Sequence, residues 1–298
     1  MSLNFSISFA TGFHNLQKSE DNFWLFENEL ISFCAHQGLR DQMEDRMHSI
    51  CDPITNLSIF SVFDGHGGDS VADYLESNYS SHVSTNILKN VAATDNENNF
   101  ETTKKKITGC IHEIDRDIIK KDTSRIYTGS TLCSAVIQNN KYLTVANVGD
   151  SRAIASDSQG NCVVLTKDHK PSDAKEKQRI KEAGGVVTQE GEDCERVQGI
   201  LAMTRSIGDA SLKARKFLIV DPDVKTYDLT KEKFRYIIIA SDGLFDVFED
   251  EEIIQKANLY LKTNENQLFP KLAWFSCKDA IKHGTEDNVS ILIIKLFL

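Results

Sequence analysis

Short apolar runs separated by polar segments recur along most of this chain, and the length and period of each run indicate its local structure. Runs of Ile, Val, Phe and Leu bounded by charged or turn-forming residues predict β-strands. Such runs lie at residues 30–36, 58–63, 131–137, 142–148, 236–240 and 289–297. The segment 138–141 between two of them contains Asn139-Asn140, which predicts a hairpin turn.

Other segments carry their apolar residues at helical spacing. Ile107, Ile111, Ile114 and Ile118 recur every three or four residues, which predicts an amphipathic helix over residues 101–121. Further helices are predicted at 71–88, 173–183, 250–261 and 268–281. Paired glycines follow the second of these, and acidic residues occupy the first turn of the third, as helix ends favour.

The elements alternate in a mixed order of strands, a helix pair, more strands, helices and a last strand. This order predicts an α+β domain in which helices cover antiparallel sheets. Residues 1–28 are rich in Ser and Asn and are predicted to be an N-terminal extension. With no repeat or linker, we predict one catalytic domain over residues 29–298.

Composition excludes several classes of protein. Hydrophobic residues make up 40% and charged residues 26% of the 298, which is ordinary for a globular protein. A net charge of -10 argues against nucleic acid or an anionic membrane as the main partner. No apolar run approaches the ~18 residues of a membrane span. The 7 scattered Cys without a Cys-x-x-Cys pair indicate reduced thiols, so we expect a cytoplasmic or nuclear location.

Acidic residues cluster where predicted strands begin or end. The clusters are Glu44-Asp45, Asp64-Gly65, Asp242-Gly243 with Asp246, and Asp287. Carboxylates that converge repel one another by about 4 kcal/mol at ~4 Å and intermediate dielectric, unless cations neutralise them. All-oxygen ligands favour Mg²⁺ or Mn²⁺. Each Asp-Gly pair alone is a common turn, so the hypothesis depends on their convergence in space.

Two hard cations ~3.5–4 Å apart can share a hydroxide and clamp a phosphoryl group. Glycine after Asp64 suits such a site, because the backbone carbonyl of Gly65 can approach a cation without a side chain in the way. If the carboxylates converge in space, they would therefore suit metal-dependent phosphoester chemistry.

An ordered series of motifs extends from about residue 30 to the C-terminus, and as a set it resembles the metal-dependent type-2C protein serine/threonine phosphatases, the PPM family. The series comprises Arg40…Met43-Glu44-Asp45, Phe63-Asp64-Gly65-His66-Gly67-Gly68, Gly129-Ser130-Thr131, Asn147-Val148-Gly149-Asp150-Ser151-Arg152, Asp168-His169-Lys170-Pro171, Arg196-Val197-Gln198-Gly199, Thr204-Arg205-Ser206-Ile207-Gly208-Asp209, Ala240-Ser241-Asp242-Gly243 and Glu286-Asp287-Asn288. Each motif is weak by itself, and the full series is specific.

The resemblance implies a central β-sandwich of two antiparallel sheets flanked by helices in four α-β-β-α layers, with the metal site at one end. It implies two divalent cations, Mg²⁺ or Mn²⁺, and a weaker third. Asp64 would bridge the first two, and the Gly65 carbonyl would join the second. The remaining implied ligands are Asp242 and Asp287 for the first metal, Glu44 and Asp45 acting largely through waters of the second, and Asp150 with Asp242 and Asp246 for the third.

The reaction expected from this resemblance is hydrolysis of phosphoserine and phosphothreonine by direct attack of a hydroxide bridging two metals. Arg40 would hold the phosphate with its planar guanidinium, although a surface pairing with Asp41 or Glu44 is the alternative. His66 would protonate the leaving oxygen, although a structural role or metal ligation remains open.

The segment at about 171–210 corresponds to the family's flap, a mobile element beside the active site, and we expect Arg196 within it to contact substrate. Gln198 stands where the family usually has Asn. The flap is acidic, which suggests a preference for basic phosphopeptides; its acids are Glu190, Glu192, Asp193 and Glu195.

Two other functions remain compatible with these residues. A catalytically dead pseudophosphatase would use the fold as a binding scaffold, but such proteins usually lose metal carboxylates or the phosphate-holding Arg, which this chain keeps. A phosphatase of small phosphoesters would use the same two-metal chemistry. We expect phosphoprotein substrates and a monomeric protein.

Overall fold

The computed structural model describes residues 7–88, 98–121, 127–191, 194–263 and 269–296. The strands run in chain order as β1 (Phe9–Gly12), β2 (Phe23–Glu27), β3 (Ile31–His36), β4 (Arg46–Asp52), β5 (Leu57–Phe63), β6 (Gly65–His66), β7 (Gly129–Ser130), β8 (Leu132–Gln138), β9 (Tyr142–Val148), β10 (Arg152–Asp157), β11 (Cys162–Val164), β12 (Val187–Thr188), β13 (Arg196–Val197), β14 (Ile207–Gly208), β15 (Asp223–Asp228), β16 (Phe234–Ala240) and β17 (Val289–Lys295). The helices are α1 (Ser70–Leu88), α2 (Asn98–Lys121), α3 (Ala174–Glu182), α4 (Ala210–Ala214), α5 (Asp242–Phe245), α6 (Asp250–Thr263) and α7 (Leu272–Lys282), with short 3₁₀ turns at Phe13–Asn15 and Phe269–Lys271.

Two six-stranded antiparallel sheets form the centre of the molecule. The first has the strand order β1-β4-β5-β8-β9-β15, and the second has the order β11-β10-β16-β17-β3-β2. Sequence neighbours such as β4 and β5 or β8 and β9 pair as hairpins. The pairings of β5 with β8 and of β16 with β17 join strands that are far apart in the chain, so each sheet is assembled partly from contacts distant in sequence.

Helices cover the outer face of each sheet. Alternate side chains of the two sheets, such as Phe60 and Ile237, meet in a shared inner core. On the outside, α1 and α2 pack on the first sheet, and α6 and α7 pack on the second. The expected α+β sandwich of four α-β-β-α layers is therefore confirmed.

The central strands are apolar along their length because both of their faces are buried. In β16, Ile237 and Ile239 point into the inner core, while Ile238 and Ala240 pack against the outer helices. β17 alternates in the same way. This is why the sequence shows continuous apolar runs at these two strands.

The predicted strands and helices lie within a few residues of the observed ones, but several strands were not predicted. The unpredicted long strands are β4, β10 and β15. Residues 9–27, within the predicted N-terminal extension, supply the edge strand β1 to the first sheet and β2 to the second. This part of the extension belongs to the sandwich, and the domain boundary at residue 28 stays a prediction.

The segment 171–210, predicted as a flap, shares a small apolar cluster with the residues that follow it. The cluster consists of Ile180, Val197, Leu212, Phe217 and Leu218. α3 begins at Asp173, whose side chain accepts hydrogen bonds from the backbone N–H groups of Lys175 and Glu176. The flap is thus a folded unit attached beside the sandwich. None of the described helices combines the length and apolarity needed to cross a membrane.

Candidate active site

Strand register brings distant acidic segments to one end of the sandwich. In the second sheet, Ala240 at the end of β16 pairs with Ile291 near the start of β17. In the first sheet, the end of β5 lies beside the start of β8, which pairs with the end of β9. Residues that follow β5, β9 and β16, or precede β17, must therefore lie at the same end.

A cavity of about 700 Å³ occupies this end. Nearly all of the predicted site residues line it: Arg40, Glu44, Asp64, Gly65, His66, Asp150, Arg196, Asp242, Asp246 and Asp287. Two walls can be distinguished. The strand-end wall carries the carboxylates Glu44, Asp64, Asp150, Asp242 and Asp287, and the flap wall is formed by residues 171–203 that line the cavity.

Asp64 is held by the strand that neighbours β5. Its backbone N–H donates to the Thr131 hydroxyl at 3.1 Å, and its carbonyl accepts from the Thr131 N–H at 2.8 Å. The Thr131 hydroxyl is also 2.7 Å from that of Ser151. These bonds fix the backbone of Asp64, so its carboxylate enters the cavity from a rigid base.

Asp45 is the predicted metal residue that does not line the cavity. It is fully buried, and its Oδ2 accepts from the Ser241 hydroxyl at 2.9 Å, while Oδ1 has no partner among the described residues. Burial raises the pKa of Asp45 to about 7, in spite of the opposing hydrogen bond from Ser241. Asp45 therefore lies behind the strand-end wall, close enough for charge interaction with Asp287.

Glu44 is anchored at the cavity surface by two loops. Its Oε1 accepts from the Gly68 N–H at 2.6 Å, and its own N–H donates to Asn288 Oδ1 at 2.7 Å. Beside it, a Cβ on Gly65 would lie 2.5 Å from the Glu44 carbonyl oxygen. Only glycine fits there, which agrees with the expectation that the Gly65 backbone approaches the site.

The carboxylates of the strand-end wall perturb one another. Burial raises the pKa values of Asp64 and Asp242 well above their ordinary range. Neighbouring negative charges raise them further, chiefly that of Asp45 for Asp64 and that of Asp150 for Asp242. Burial also raises the pKa of Asp150 to about 6 and that of Asp246 above its ordinary value. Such a cluster must take up protons or cations. Its all-oxygen donor set, with orphaned buried oxygens on Asp45 and Asp150, fits hard divalent cations.

Lys170 lines the same cavity, although the sequence analysis assigned it no role in the site. Its Nζ lies 3.6 Å from Asp168. Its positive charge lowers the pKa values of Asp150, Asp242 and Asp246 and so opposes the larger effect of burial. Lys170 thus supplies a positive charge at the acidic end of the cavity.

The two predicted substrate-binding arginines lie on different walls. Arg40 is exposed, and its Nη2 lies 2.5 Å from Asp287 Oδ2, so its partner is neither Asp41 nor Glu44. Arg196 belongs to the flap wall, where its Nη1 donates to the Ile200 carbonyl at 3.3 Å. Both guanidinium groups border the space in front of the carboxylates.

His66 forms a pair that sequence reasoning missed. Its Nε2 lies 2.8 Å from Oδ2 of Asp209, which also accepts from the Ser206 hydroxyl at 2.6 Å. Burial lowers the pKa of His66, but the charge and hydrogen bond of Asp209 raise it by more, so it lies above its ordinary value. Asp209 stood in a quoted motif, yet nothing in the sequence pointed from it to His66.

Behind the flap wall, a hydrogen-bonded network surrounds Glu176, which does not itself line the cavity. This buried carboxylate accepts hydrogen bonds from Arg205 at 2.5 Å, Arg179 at 2.9 Å and the Thr204 hydroxyl at 2.9 Å. Burial alone would raise the pKa of Glu176, but these bonds lower it to about 2. The flap is therefore fixed by an ion-pair network.

Only two of the four flap acids expected to attract basic peptides, Glu190 and Glu195, belong to the described residues. Glu195 lines the cavity but forms an ion pair with Lys177, and Glu190 is exposed. Glu192 and Asp193 lie outside the described residues. Gln198, the departure from the family pattern, adopts a left-handed backbone with φ +57°. Asn tolerates this conformation better than Gln, which explains the family's usual residue.

A second group of possible metal ligands, His14, Asp73 and Glu76, lies near the start of α1. Arg46 already neutralises it, since its Nε is 2.6 Å from Asp73 and 3.9 Å from Glu76. His14 also binds Glu76 through its backbone N–H at 2.9 Å. We interpret this group as an ion-pair clamp that holds the N-terminal segment on α1.

Comparison with known proteins agrees with this geometry. The family model described as "Protein phosphatase 2C" matches residues 29–289. The chain is 37% identical over 278 residues to "Protein phosphatase 1L" of Bos taurus, which covers 91% of this chain and 74% of that protein. The solved structure titled "Structure of a C.elegans sex determining protein" aligns with a TM-score of 0.76 and 26% identity, over 89% of this chain and 64% of that one. The crystal structure of a serine-threonine phosphatase 2C from Toxoplasma gondii aligns with a TM-score of 0.75 and 21% identity, over 97% and 99% of the two chains.

Proposed function

This chain belongs to the protein phosphatase 2C family, and on that premise we propose that it hydrolyses phosphoserine and phosphothreonine in proteins with the help of divalent cations. The observation that supports this most directly is the strand-end wall. Carboxylates from five separate segments share one cavity, burial and the charges of neighbouring carboxylates raise the pKa values of Asp64 and Asp242, and a guanidinium lies at its edge.

The residues that would hold two hard cations, Mg²⁺ or Mn²⁺, are Asp64, the Gly65 carbonyl, Asp242 and Asp287, with Glu44 and Asp45 acting through water and Asp150 and Asp246 available to a weaker third. When bound, such cations lower the pKa of water so that a hydroxide nucleophile is available near neutral pH. The protein contributes the rigid strand ends that set the spacing of these oxygens.

The chain's own residues then act on the substrate. Arg40 is exposed enough to exchange its contact with Asp287 for phosphate oxygens, and its planar fork suits that geometry. His66 delivers a proton to the departing serine or threonine oxygen. Arg196 and the flap wall contact the polypeptide around the phosphorylated residue.

The expected substrates are phosphoproteins, and the acidic balance of the chain disfavours nucleic acid as a partner. A monomer in the cytoplasm or nucleus remains our prediction from the sequence.

The test is hydrolysis of a phosphoserine peptide by the whole protein with Mg²⁺ or Mn²⁺, with and without chelator. We expect turnover that the chelator abolishes. Inactivity at every metal concentration would favour the pseudophosphatase, whereas faster hydrolysis of small phosphometabolites than of peptides would favour a phosphatase of small phosphoesters.

A further inference from the structure

His66 and Asp209 form a short hydrogen bond in which the carboxylate is buried. Asp209 Oδ2 lies 2.8 Å from His66 Nε2 across 143 residues of sequence. The Asp209 side chain is only 1% exposed, so water does not compete for this hydrogen bond. A carboxylate that binds one ring nitrogen fixes both the orientation of a histidine and the position of its proton.

Asp209 is itself held by its surroundings. The Ser206 hydroxyl donates to the same Oδ2 at 2.6 Å, and the backbone N–H of Asp209 donates to the Thr128 carbonyl at 2.9 Å. Its backbone is left-handed, with φ +49°, a conformation that costs energy for any residue but glycine. The local fold therefore accepts strain in order to place this carboxylate.

There is no room for a side chain on Gly129, which lies against the His66–Asp209 pair. A Cβ on Gly129 would lie 2.1 Å from Asp209 Oδ2 and 2.5 Å from His66 Nε2. Gly129 pairs with His66 in the small sheet formed by β6, β7 and β14. The close approach of carboxylate and imidazole thus depends on a glycine in the adjacent strand.

The other ring nitrogen of His66, Nδ1, is not used in this contact with Asp209. Nδ1 of His66 is buried and has no hydrogen-bond partner among the described residues, although the ring lines the cavity beside Glu44 and Asp64. Buried polar atoms nearly always have partners. Because His66 is one of the residues that line this cavity, an orphaned ring nitrogen indicates a partner that arrives when the site is occupied.

We propose that Asp209 is the positioning residue for His66, holding Nε2–H so that the proton on Nδ1 is the one given to the leaving group. This inference rests on the proposed function. In the step, the oxygen of a hydroxide ion forms a bond to phosphorus as the bond from phosphorus to the serine or threonine oxygen breaks. The departing oxygen keeps that electron pair and takes the Nδ1 proton, and His66 remains as the neutral Nε2–H imidazole.

The first test compares Asp209→Asn with wild type on two substrates, a phosphoserine peptide and p-nitrophenyl phosphate, both with Mn²⁺. Asn tolerates the left-handed backbone at this position. For the peptide, whose alkoxide needs a proton, we expect kcat to fall about 10- to 100-fold with KM nearly unchanged. For the aryl ester, whose phenolate leaves without a proton, we expect kcat within about threefold of wild type.

The double variant of Asp209→Asn with His66→Ala should lose no more peptide activity than His66→Ala alone, because Asp209 acts through His66. Asp223→Asn is the matched control, since it removes a carboxylate 3.4 Å from another buried histidine, His169, and 3.2 Å from Arg205, outside the active-site cavity. We expect it to leave the ratio of the two substrates' kcat values as in wild type. Equal losses on both substrates for Asp209→Asn, or additive losses in the double variant, would overturn the positioning role.

A measurement on the wild-type protein does not depend on how the variants fold. Nitrogen-15 NMR of labelled histidine in the whole protein should show the neutral His66 ring protonated at Nε2, and an Nδ1–H ring would overturn the inference. If wild type hydrolysed neither substrate, the proposed function would fail and with it the proton transfer, while the ring measurement would still decide the contact with Asp209.

Discussion

The two walls of the cavity are built on opposite electrostatic principles. On the strand-end wall, buried carboxylates repel one another, and the pKa values of Asp64 and Asp242 lie well above the ordinary range. Behind the flap wall, Glu176 is surrounded by guanidinium groups, and its pKa is lowered to about 2. The first wall carries negative charge that bound protons or cations would neutralise, whereas the carboxylate behind the second wall is already neutralised by neighbouring arginines.

The walls also differ in their support. The carboxylates of the strand-end wall lie at the ends of strands in a core that packs both sheets together. The flap wall relies on five apolar residues and one ion-pair network. The comparison indicates that the reacting groups lie on the rigid wall, whereas the flap can change in sequence or conformation with a smaller loss of stability.

The largest expected effect comes from breaking the rigid wall with Asp64→Ala. Metal-dependent turnover should fall below detection, because this carboxylate lies at the centre of the cluster. The metal-free variant should unfold at the same or a higher temperature, because a buried and repelled carboxylate has been removed. Kinetics with Mn²⁺ and calorimetry without metal test both statements.

Glu113→Ala, which removes an exposed acid on α2, is the control for that variant and should change neither quantity. Turnover that survived Asp64→Ala at ordinary metal concentration would refute the assignment of ligands.

A pH series should separate the two walls by the sign of their effect on stability. The folded-state pKa values of Asp45 and Asp150 are raised to about 7 and about 6, so the folded protein binds more protons than the unfolded chain between about pH 4 and 7. This contribution to stability is present at low pH and is lost as pH rises through that window. The depressed pKa of Glu176 contributes stability above about pH 4 that is lost as pH falls towards 2.

Denaturant unfolding of the metal-free protein across this range is the measurement. We expect Mg²⁺ to reverse the loss of stability near neutral pH, because cations replace the protons on the strand-end wall. Stability of the metal-free protein that rose steadily from pH 4 to 7 would contradict the raised pKa values.

Glu176→Gln should loosen the flap wall alone. The substitution leaves two guanidinium groups with weaker partners and should cost about 2–3 kcal/mol of local stability. Hydrogen exchange should accelerate in residues 171–191 and 194–210, and kcat/KM for phosphopeptides should fall. Titration calorimetry should find the Mn²⁺ affinity unchanged, since no ligand has moved.

Glu182→Gln lies in the same helix, where it bonds only an exposed Gln178 at 2.8 Å, and it serves as the matched control. A large drop in Mn²⁺ affinity for Glu176→Gln, with none for Glu182→Gln, would show that the walls are not independent.

The smallest effect is expected at Gln198, whose backbone is left-handed. Gln198→Asn should stabilise the flap by about 0.5 kcal/mol, because Asn adopts this conformation with less strain. Hydrogen exchange in β13 measures the change. Gln178→Asn, in the right-handed backbone of α3, should give no gain, and an equal gain from both would remove backbone strain as the cause.

The predicted elements were most accurate where one physical pattern dominated. β16 and β17 are buried on both faces, so their sequences are almost wholly apolar and predict strands directly. β4 and β15 mix charged and apolar residues, since each has one face or end near solvent, and neither was predicted. The hairpin of β8 and β9 followed from its local turn, whereas the pairing of β3 with β17 did not.

Within the site, the sequence by itself determined the ligand chemistry, because an Asp or Glu at the end of a strand offers the same oxygens in any context. The fold decided everything that depends on distance. It placed Asp45 behind the wall, gave Arg40 the partner Asp287, and brought Asp209 to His66 across 143 residues. Residue type sets which bonds a group can form, but only the packing of two sheets and their crossovers decides which groups come within reach.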